Sequence, residues 1–478
     1  MASKVLLIYP QIKTVVMQPP LSVLTLASVL KRDGFEVDLI DDRVRKDTKE
    51  AIKKSIESGN VISIGLSTMT GSQIRRAIAL SKYIRSFSNI PIVYGGVHPT
   101  FLPEQTLKEE FIDFVVMGFG EKTFLKLNKM LESGKKDFAS IDCLGYKEDG
   151  QIKINPLKFD KDFNLDELPP PAWELVDVKN YLEKGFVGKS TLTLIGSRGC
   201  PHRCAFCYSQ SFFNRRWYAR SAENVLNELD GLREKYDIDS VYFNDDNFVV
   251  DRKRMMAICK GLKERDIRYS IFSRAEYIDE ELIKFLKDNN CVRMGVGAES
   301  GSQKILDMLK KDIKVEHLIN VAELCNKYQI ACFFSFMVGY PLETEEDMNM
   351  TLDLIDRLIT INPLTEITDL KIMTPYPGTE FYNVAIEHGF KPPATLAEWG
   401  NFEWNKCNIP WIKDKRIYET MSFAVLLTFY THRIKRGNIA SNMAIDMLHQ
   451  VEKLRWKKRY WKYGVETSLI NYYLDKFA

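Results

Sequence analysis

Gly199-Cys200-Pro201-His202-Arg203-Cys204-Ala205-Phe206-Cys207-Tyr208 sets three cysteines at Cys-x3-Cys-x2-Cys spacing. Three thiolates on so short a loop can hold three irons of a four-iron cluster. No fourth cysteine lies nearby, so the fourth iron is left open to another ligand. A structural zinc site wants four ligands, and His202 sits inside the loop with poor geometry for that role. A bacterial ferredoxin run is Cys-x2-Cys-x2-Cys with a further cysteine. A disulfide framework needs a cysteine-dense secreted chain, and this one has 9 cysteines in 478 residues. The spacing and its context point to a catalytic iron–sulfur loop.

Working outward, residues 191–195 read as a strand that runs straight into the loop. Further strands are expected at 240–243, 269–272, 292–296, 331–337 and 369–372, with helices between them. Six such strands suggest a parallel barrel or an open partial barrel, whose chemistry sits at the carboxyl ends of the strands. Upstream, strands at 4–9, 35–40, 61–66 and 92–94 alternate with helices at 21–31, 49–58 and 72–87. That alternation predicts a doubly wound, mainly parallel sheet, with ligands beyond its carboxyl ends. The fold class is therefore α/β: a doubly wound sheet, a partial (β/α)6 barrel of TIM type, and a mainly helical tail. The expected domains are 1–145, a linker at 146–189 marked by Pro169-Pro170-Pro171, the barrel at 190–390, and the tail at 391–478.

Composition sets bounds on function. Lys plus Arg is 67 and Asp plus Glu is 64, a net charge of +3 that argues against a general nucleic-acid binder. The apolar run at residues 5–8 is too short for a signal peptide and reads as a buried strand. No run of eighteen apolar residues suggests a membrane-spanning helix. Nine cysteines without a secretory signal suggest a reducing cytoplasm. The tail is basic and aromatic, from Arg433, Lys435 and Arg436 to Trp456, Trp461 and Lys462. Such a helix either packs its aromatics or makes peripheral contact with a membrane or an anionic substrate. Packed aromatics on a solvated helix are expected. Cys143, Cys259, Cys291, Cys325, Cys332 and Cys407 are scattered and read as buried apolar positions.

The cysteine loop resembles that of the radical S-adenosylmethionine (radical SAM) superfamily, Cys-x3-Cys-x-aromatic-Cys, with Phe206 in the aromatic place. The resemblance covers residues 190–385 and continues at later strand ends. It implies a four-iron, four-sulfur cluster on Cys200, Cys204 and Cys207 whose open iron binds S-adenosylmethionine. One electron then cleaves the carbon–sulfur bond to give a 5′-deoxyadenosyl radical. By the same resemblance, Asp245 or Asp246 pairs with the methionine ammonium, and Ser273 or Arg274 with its carboxylate. Gly297, Glu299 and Ser300 belong to the segment that meets the ribose, and Gly339 to the loop that lines the adenine.

Residues 1–145 resemble the cobalamin-binding domain joined to many radical SAM enzymes. The matching segments are Ser67-Thr68, Gly95-Gly96-Val97-His98, and Gly118-Phe119-Gly120-Glu121. The Asp-x-His-x-x-Gly motif of many cobalamin folds is absent. His98 is read as a hydrogen-bonding member of its loop rather than a cobalt ligand.

These resemblances imply a cobalamin-dependent radical SAM enzyme, foremost a C-methyltransferase acting on an unactivated carbon. The same parts also serve ring closure or rearrangement. A non-catalytic iron–sulfur electron carrier or sensor is the reading from another class. The expected partners are a small-molecule, lipid, tetrapyrrole or peptide substrate and an electron donor such as flavodoxin or ferredoxin.

Overall fold

A computed structural model describes residues 2–12, 17–185, 187–403, 409–434 and 439–461. The first half is built on β1 (Lys4–Tyr9), β2 (Glu36–Asp41), β3 (Val61–Ser67), β4 (Ile92–Gly95) and β5 (Phe114–Val116). These pair in parallel in the order β2-β1-β3-β4-β5. The order reverses between β1 and β3, which opens a crevice at their carboxyl ends. Val5, Leu6, Leu7 and Ile8 are all fully buried because helices cover both faces of a parallel sheet. Leu6 and Ile8 pack with Ile64 and Ile74 on one face, whereas Val5 and Leu7 pack with Val23 and Phe124 on the other. This is the two-residue alternation of a strand.

The sheet extends beyond residue 145. β6 (Leu144–Glu148) and β7 (Gln151–Ile154) add an antiparallel hairpin at its edge. The expected boundary at 145 therefore falls inside a strand, and residues 146–154 are sheet rather than linker. Asp149 (φ 50°) and Gly150 (φ 76°) make the two-residue turn. An Asp-Gly pair suits such a turn because both positions need positive φ. Residues 155–185 form short turns instead of free chain: Trp173, Val178 and Tyr181 are buried, and Trp173 and Val178 pack into the core of the second half.

The second half begins with β8 (Thr191–Leu194), followed by an antiparallel ribbon of β9 (Ser197–Gly199) and β10 (Trp217–Ala219). Then come β11 (Ser240–Phe243), β12 (Arg268–Ser273), β13 (Cys291–Glu299), β14 (Ala331–Val338) and β15 (Thr365–Ile372). These and β8 form a six-stranded, all-parallel sheet in chain order, β8-β11-β12-β13-β14-β15. Its end strands β8 and β15 do not pair with each other, so the barrel wall is open. Asp251, Asp279, Thr344 and Thr379 cap the helices after β11, β12, β14 and β15. Each side chain accepts from a free N–H of the first turn, which starts the helix and keeps the preceding loop short.

Helix Leu21–Arg32 is shared between the halves: Val23, Ala27 and Leu30 face the first sheet, and Leu24 enters the core of the second. The tail forms helices Lys415–Ile434 and Ile439–Lys457. Trp456 and Trp461 are buried, Trp456 Nε1 donates to Asp356 at 2.6 Å, and Arg459 pairs with Asp353 and Asp356. Trp456 and Trp461 of the tail are thus packed on the barrel. Lys435, Arg436, Lys462 and Cys407 lie outside the described residues, and the Arg433 side chain is not described. The remaining scattered cysteines are buried. Among the described residues, no helix is long and apolar enough to cross a membrane.

Candidate active site

The cysteine loop leaves β9 at Gly199, where φ is +85° and a Cβ would lie 2.3 Å from the Arg216 carbonyl oxygen. Only glycine makes this turn without moving the backbone at Arg216, just before β10. Two carboxylates from the end of β11 hold the approach to the loop. Asp245 accepts from the Gly196 N–H at 2.7 Å and from the Ser197 hydroxyl. Asp246 accepts from the Gly199 N–H at 2.8 Å. Burial raises Asp245 to about 6, against the opposing pull of those donors. Cys200, Cys204 and Cys207 are all unpaired. Burial pushes the Cys207 thiol up to about 12 and raises Cys200, so metal binding would have to release their protons.

A second polar group surrounds Cys204. Arg274, just past β12, is buried and donates from Nη1 to Cys204 Sγ at 3.1 Å. Its Nε meets Glu276 and its Nη2 the Lys311 carbonyl oxygen. Lys311 Nζ pairs with Glu299 at 2.7 Å in a wholly buried bridge and lies 5.7 Å from the centre of the Phe206 ring. Glu299 ends β13 with φ +63°, a backbone state that a non-glycine residue rarely holds and that clusters at functional sites. Gly297 makes room for the pair, because a Cβ there would lie 2.4 Å from Glu299 Oε1 and 2.8 Å from Lys311 Nζ.

The halves enclose a cavity of about 660 Å³ at the carboxyl ends of both sheets. Ser67, Gly95, Gly96, Val97, Gly118, Gly120 and Glu121 line it from the first sheet. Asp245 and Asp246 line it from the second, and Tyr208 lines it beside Cys207. Deeper in, Leu7, Val23, Gly65, Val93 and Phe124 form an apolar slot between the sheet and two of its helices. Gly96 (φ +102°) brings the backbone so close to Thr68 that a Cβ would sit 2.6 Å from its carbonyl oxygen. Arg198 of β9 bridges to Glu121 at 2.6 Å across the cavity wall, joining the strand before the cysteine loop to the first sheet.

Other expected residues sit elsewhere. His98 does not line the cavity: it is buried, its Nδ1 faces Thr70 Oγ1 at 3.0 Å, and its ring meets Trp399 edge-on at 5.5 Å. Burial pulls it down to about 3, so it stays neutral. Thr68 lies behind the rim, with its hydroxyl on the Gly95 carbonyl. The Ser273 hydroxyl meets the Arg274 carbonyl, and the Ser300 hydroxyl contacts Thr351 and caps the Ser302 N–H. Gly339 (φ +80°) donates to Glu343, while its carbonyl accepts from Trp411 Nε1 at 2.8 Å. The sequence reading missed Lys311 and Arg198, since one more basic residue in Lys310-Lys311 or Ser197-Arg198 carries no periodic signal.

The residues present suit the groups that the sequence implied. Among the described residues, no three Cys, His, Asp or Glu side chains converge as on a single ion. A cluster spreads its thiolates over separate irons, so three free thiols on one loop match a cluster better than a lone zinc. The glycine rim and apolar slot suit a large ring with a tail, and no histidine lines that cavity.

Comparison with known proteins agrees. The family model for the Radical SAM superfamily matches residues 194–355, and that for the B12 binding domain matches residues 12–128. An uncharacterized methyltransferase of Pyrococcus horikoshii is 32% identical over 393 residues, 80% of this chain and 83% of that one. An anaerobic magnesium-protoporphyrin IX monomethyl ester cyclase of Synechocystis is 27% identical, over 77% of this chain and 73% of that one. The solved cobalamin-dependent S-adenosylmethionine radical enzyme OxsB shares the fold at TM-score 0.75 and 20% identity, covering 98% of this chain and 74% of that one. With three unpaired cysteines on a strand-end loop beside a glycine-rimmed cavity, this chain belongs to the radical SAM superfamily, among the members that carry a B12-binding domain.

Proposed function

We propose that this enzyme is a cobalamin-dependent radical SAM methyltransferase acting on an unactivated carbon of a small molecule. One observation carries the reading: the carboxyl ends of both sheets open onto a single cavity, beside the cysteine loop. When bound, the cluster with S-adenosylmethionine supplies hydrogen abstraction by one-electron chemistry, and cobalamin supplies the methyl group.

The protein's own part is to bind and orient. Cys200, Cys204 and Cys207 hold the cluster, and Asp246 fixes the loop through the Gly199 N–H. Phe206, Gly297 and the Lys311–Glu299 pair, which cluster beside the loop, would hold S-adenosylmethionine. Gly95, Gly96, Gly118 and Gly120 form the rim that a corrin would approach. Arg198–Glu121 joins the two halves across the cavity wall. The electron comes from a donor such as flavodoxin or ferredoxin in a reducing cytoplasm.

Ring closure is the second reading, favoured by the relative named as a cyclase. The test is anaerobic reconstitution of the full chain with iron, sulfide and cobalamin, followed by reduction in the presence of methyl-labelled S-adenosylmethionine. The expected result is 5′-deoxyadenosine together with label in the bound cobalamin. Failure to form 5′-deoxyadenosine would overturn the enzymatic reading. Its formation without labelled cobalamin would favour ring closure, and loss of all cobalamin on desalting would remove that cofactor.

A further inference from the structure

We infer that Arg274 is a positioning residue that raises the reduction potential of the cluster through the sulfur of Cys204. The inference rests on the reading that Cys200, Cys204 and Cys207 hold that cluster. Arg274 and Cys204 are both buried, and Nη1 donates to Sγ at 3.1 Å. The same guanidinium also acts on Cys200 through its charge, without a hydrogen bond to that sulfur among the described contacts. Among the described residues, Cys204 is the ligand sulfur in hydrogen-bond contact with a side-chain cation. The guanidinium is held on every side, with Nε on Glu276 and Nη2 on the Lys311 carbonyl. Its three nitrogens are therefore already committed within the protein.

The physical consequence has a sign. Reduction adds one negative charge to the cluster. A fixed cation in hydrogen-bond contact with a ligand sulfur favours that reduced state, more so in a buried site of low dielectric. Hydrogen bonds to the sulfurs and local charge are among the levers that set iron–sulfur potentials. Lys311 is the second cation here, but Glu299 offsets it at 2.7 Å. Glu276 offsets Arg274 in the same way, and its Oε2 is buried with no partner among the described residues. Glu276 therefore acts as a counterweight: removing its charge strengthens the effect of Arg274.

The test is a potentiometric titration, monitored by electron paramagnetic resonance, of the reconstituted full chain, with iron and sulfide counted for each variant. Arg274→Gln is expected to hold wild-type iron and to show about tenfold less reduced cluster at the wild-type midpoint. For one electron that equals a shift of ~59 mV to lower potential. Arg274→Lys should recover part of the shift. Glu276→Gln should move the midpoint the other way, a reversal that a merely structural role would not produce. Unmoved midpoints with full iron, or shifts of the same sign in Arg274→Gln and Glu276→Gln, overturn the inference. If Arg274→Gln takes up no iron, Glu276→Gln decides alone, since a raised midpoint supports the inference and any other result overturns it. A wild-type chain that holds no cluster would instead fell the reading beneath it.

Discussion

At Gly96 the backbone leaves no space for a side chain: φ is +102° and a Cβ would sit 2.6 Å from the Thr68 carbonyl oxygen. Gly96→Ala should cost about 1–3 kcal/mol through strain and displacement of the Thr68 strand end. Thermal unfolding should show the loss, and the absorbance of retained cobalamin should fall with it. Glu343 makes the stability depend on pH. Its stem is partly exposed, but its carboxyl is buried, with Oε2 on the Gly339 and Tyr340 N–H groups. Burial raises it from 4.5 to about 7. The folded state then binds its proton more tightly than the unfolded chain does. Stability present below pH 4.5 is therefore lost as pH rises through 7, by at most roughly 3 kcal/mol. Glu343→Gln should flatten that stretch of a denaturant-derived stability profile, and an unchanged slope would show that other groups set it. At this scale glycines and cysteines announce themselves in the sequence, whereas Glu343 and Lys311 do not. Their charge state and pairing depend on what the fold places around them.

Between elements, the Arg198–Glu121 bridge joins β9 to helix Gly120–Glu132. Arg198→Glu should open the cavity wall and lower cobalamin retention, and Glu121→Arg should do likewise. The double exchange should recover part of both losses. A coupling of about 1–2 kcal/mol from the four melting curves would confirm direct contact; additive losses would show that the charges act separately. Most elements were legible because parallel strands buried on both faces read as apolar runs, as in Val5–Leu6–Leu7–Ile8. The β6–β7 hairpin was missed because Gln151–Ile154 alternates exposed and half-buried residues at an edge. Its Asp149-Gly150 turn was the signal available.

Across the whole molecule, the segment after the barrel ties the halves together. Phe390, Leu396, Trp399 and Phe402 pack into the core of the first sheet. Trp399 Nε1 donates to Gln105 at 2.7 Å, its carbonyl accepts from the Gly71 N–H, and Arg75 reaches Asn401 at 2.8 Å. Trp399→Ala should cost about 3–5 kcal/mol, as large core truncations do. It should also loosen the docking of the two halves, seen as a larger radius in small-angle scattering and faster proteolysis near residue 399. A lower melting point with unchanged dimensions would mean that other contacts set the spacing. His98, caged between Thr70 and Trp399, belongs to this strap rather than to the cavity.

The sequence by itself determined the family chemistry and the order of strands, because both are written locally: three cysteines within eight residues, and apolar runs at regular intervals. Only the tertiary structure decided which charges meet. Arg274 reaches a sulfur 70 residues away, Arg198 a carboxylate 77 residues away, and Trp399 a partner 294 residues away. Such pairs leave no periodic trace along the chain, since their spacing depends on how two separately built sheets dock.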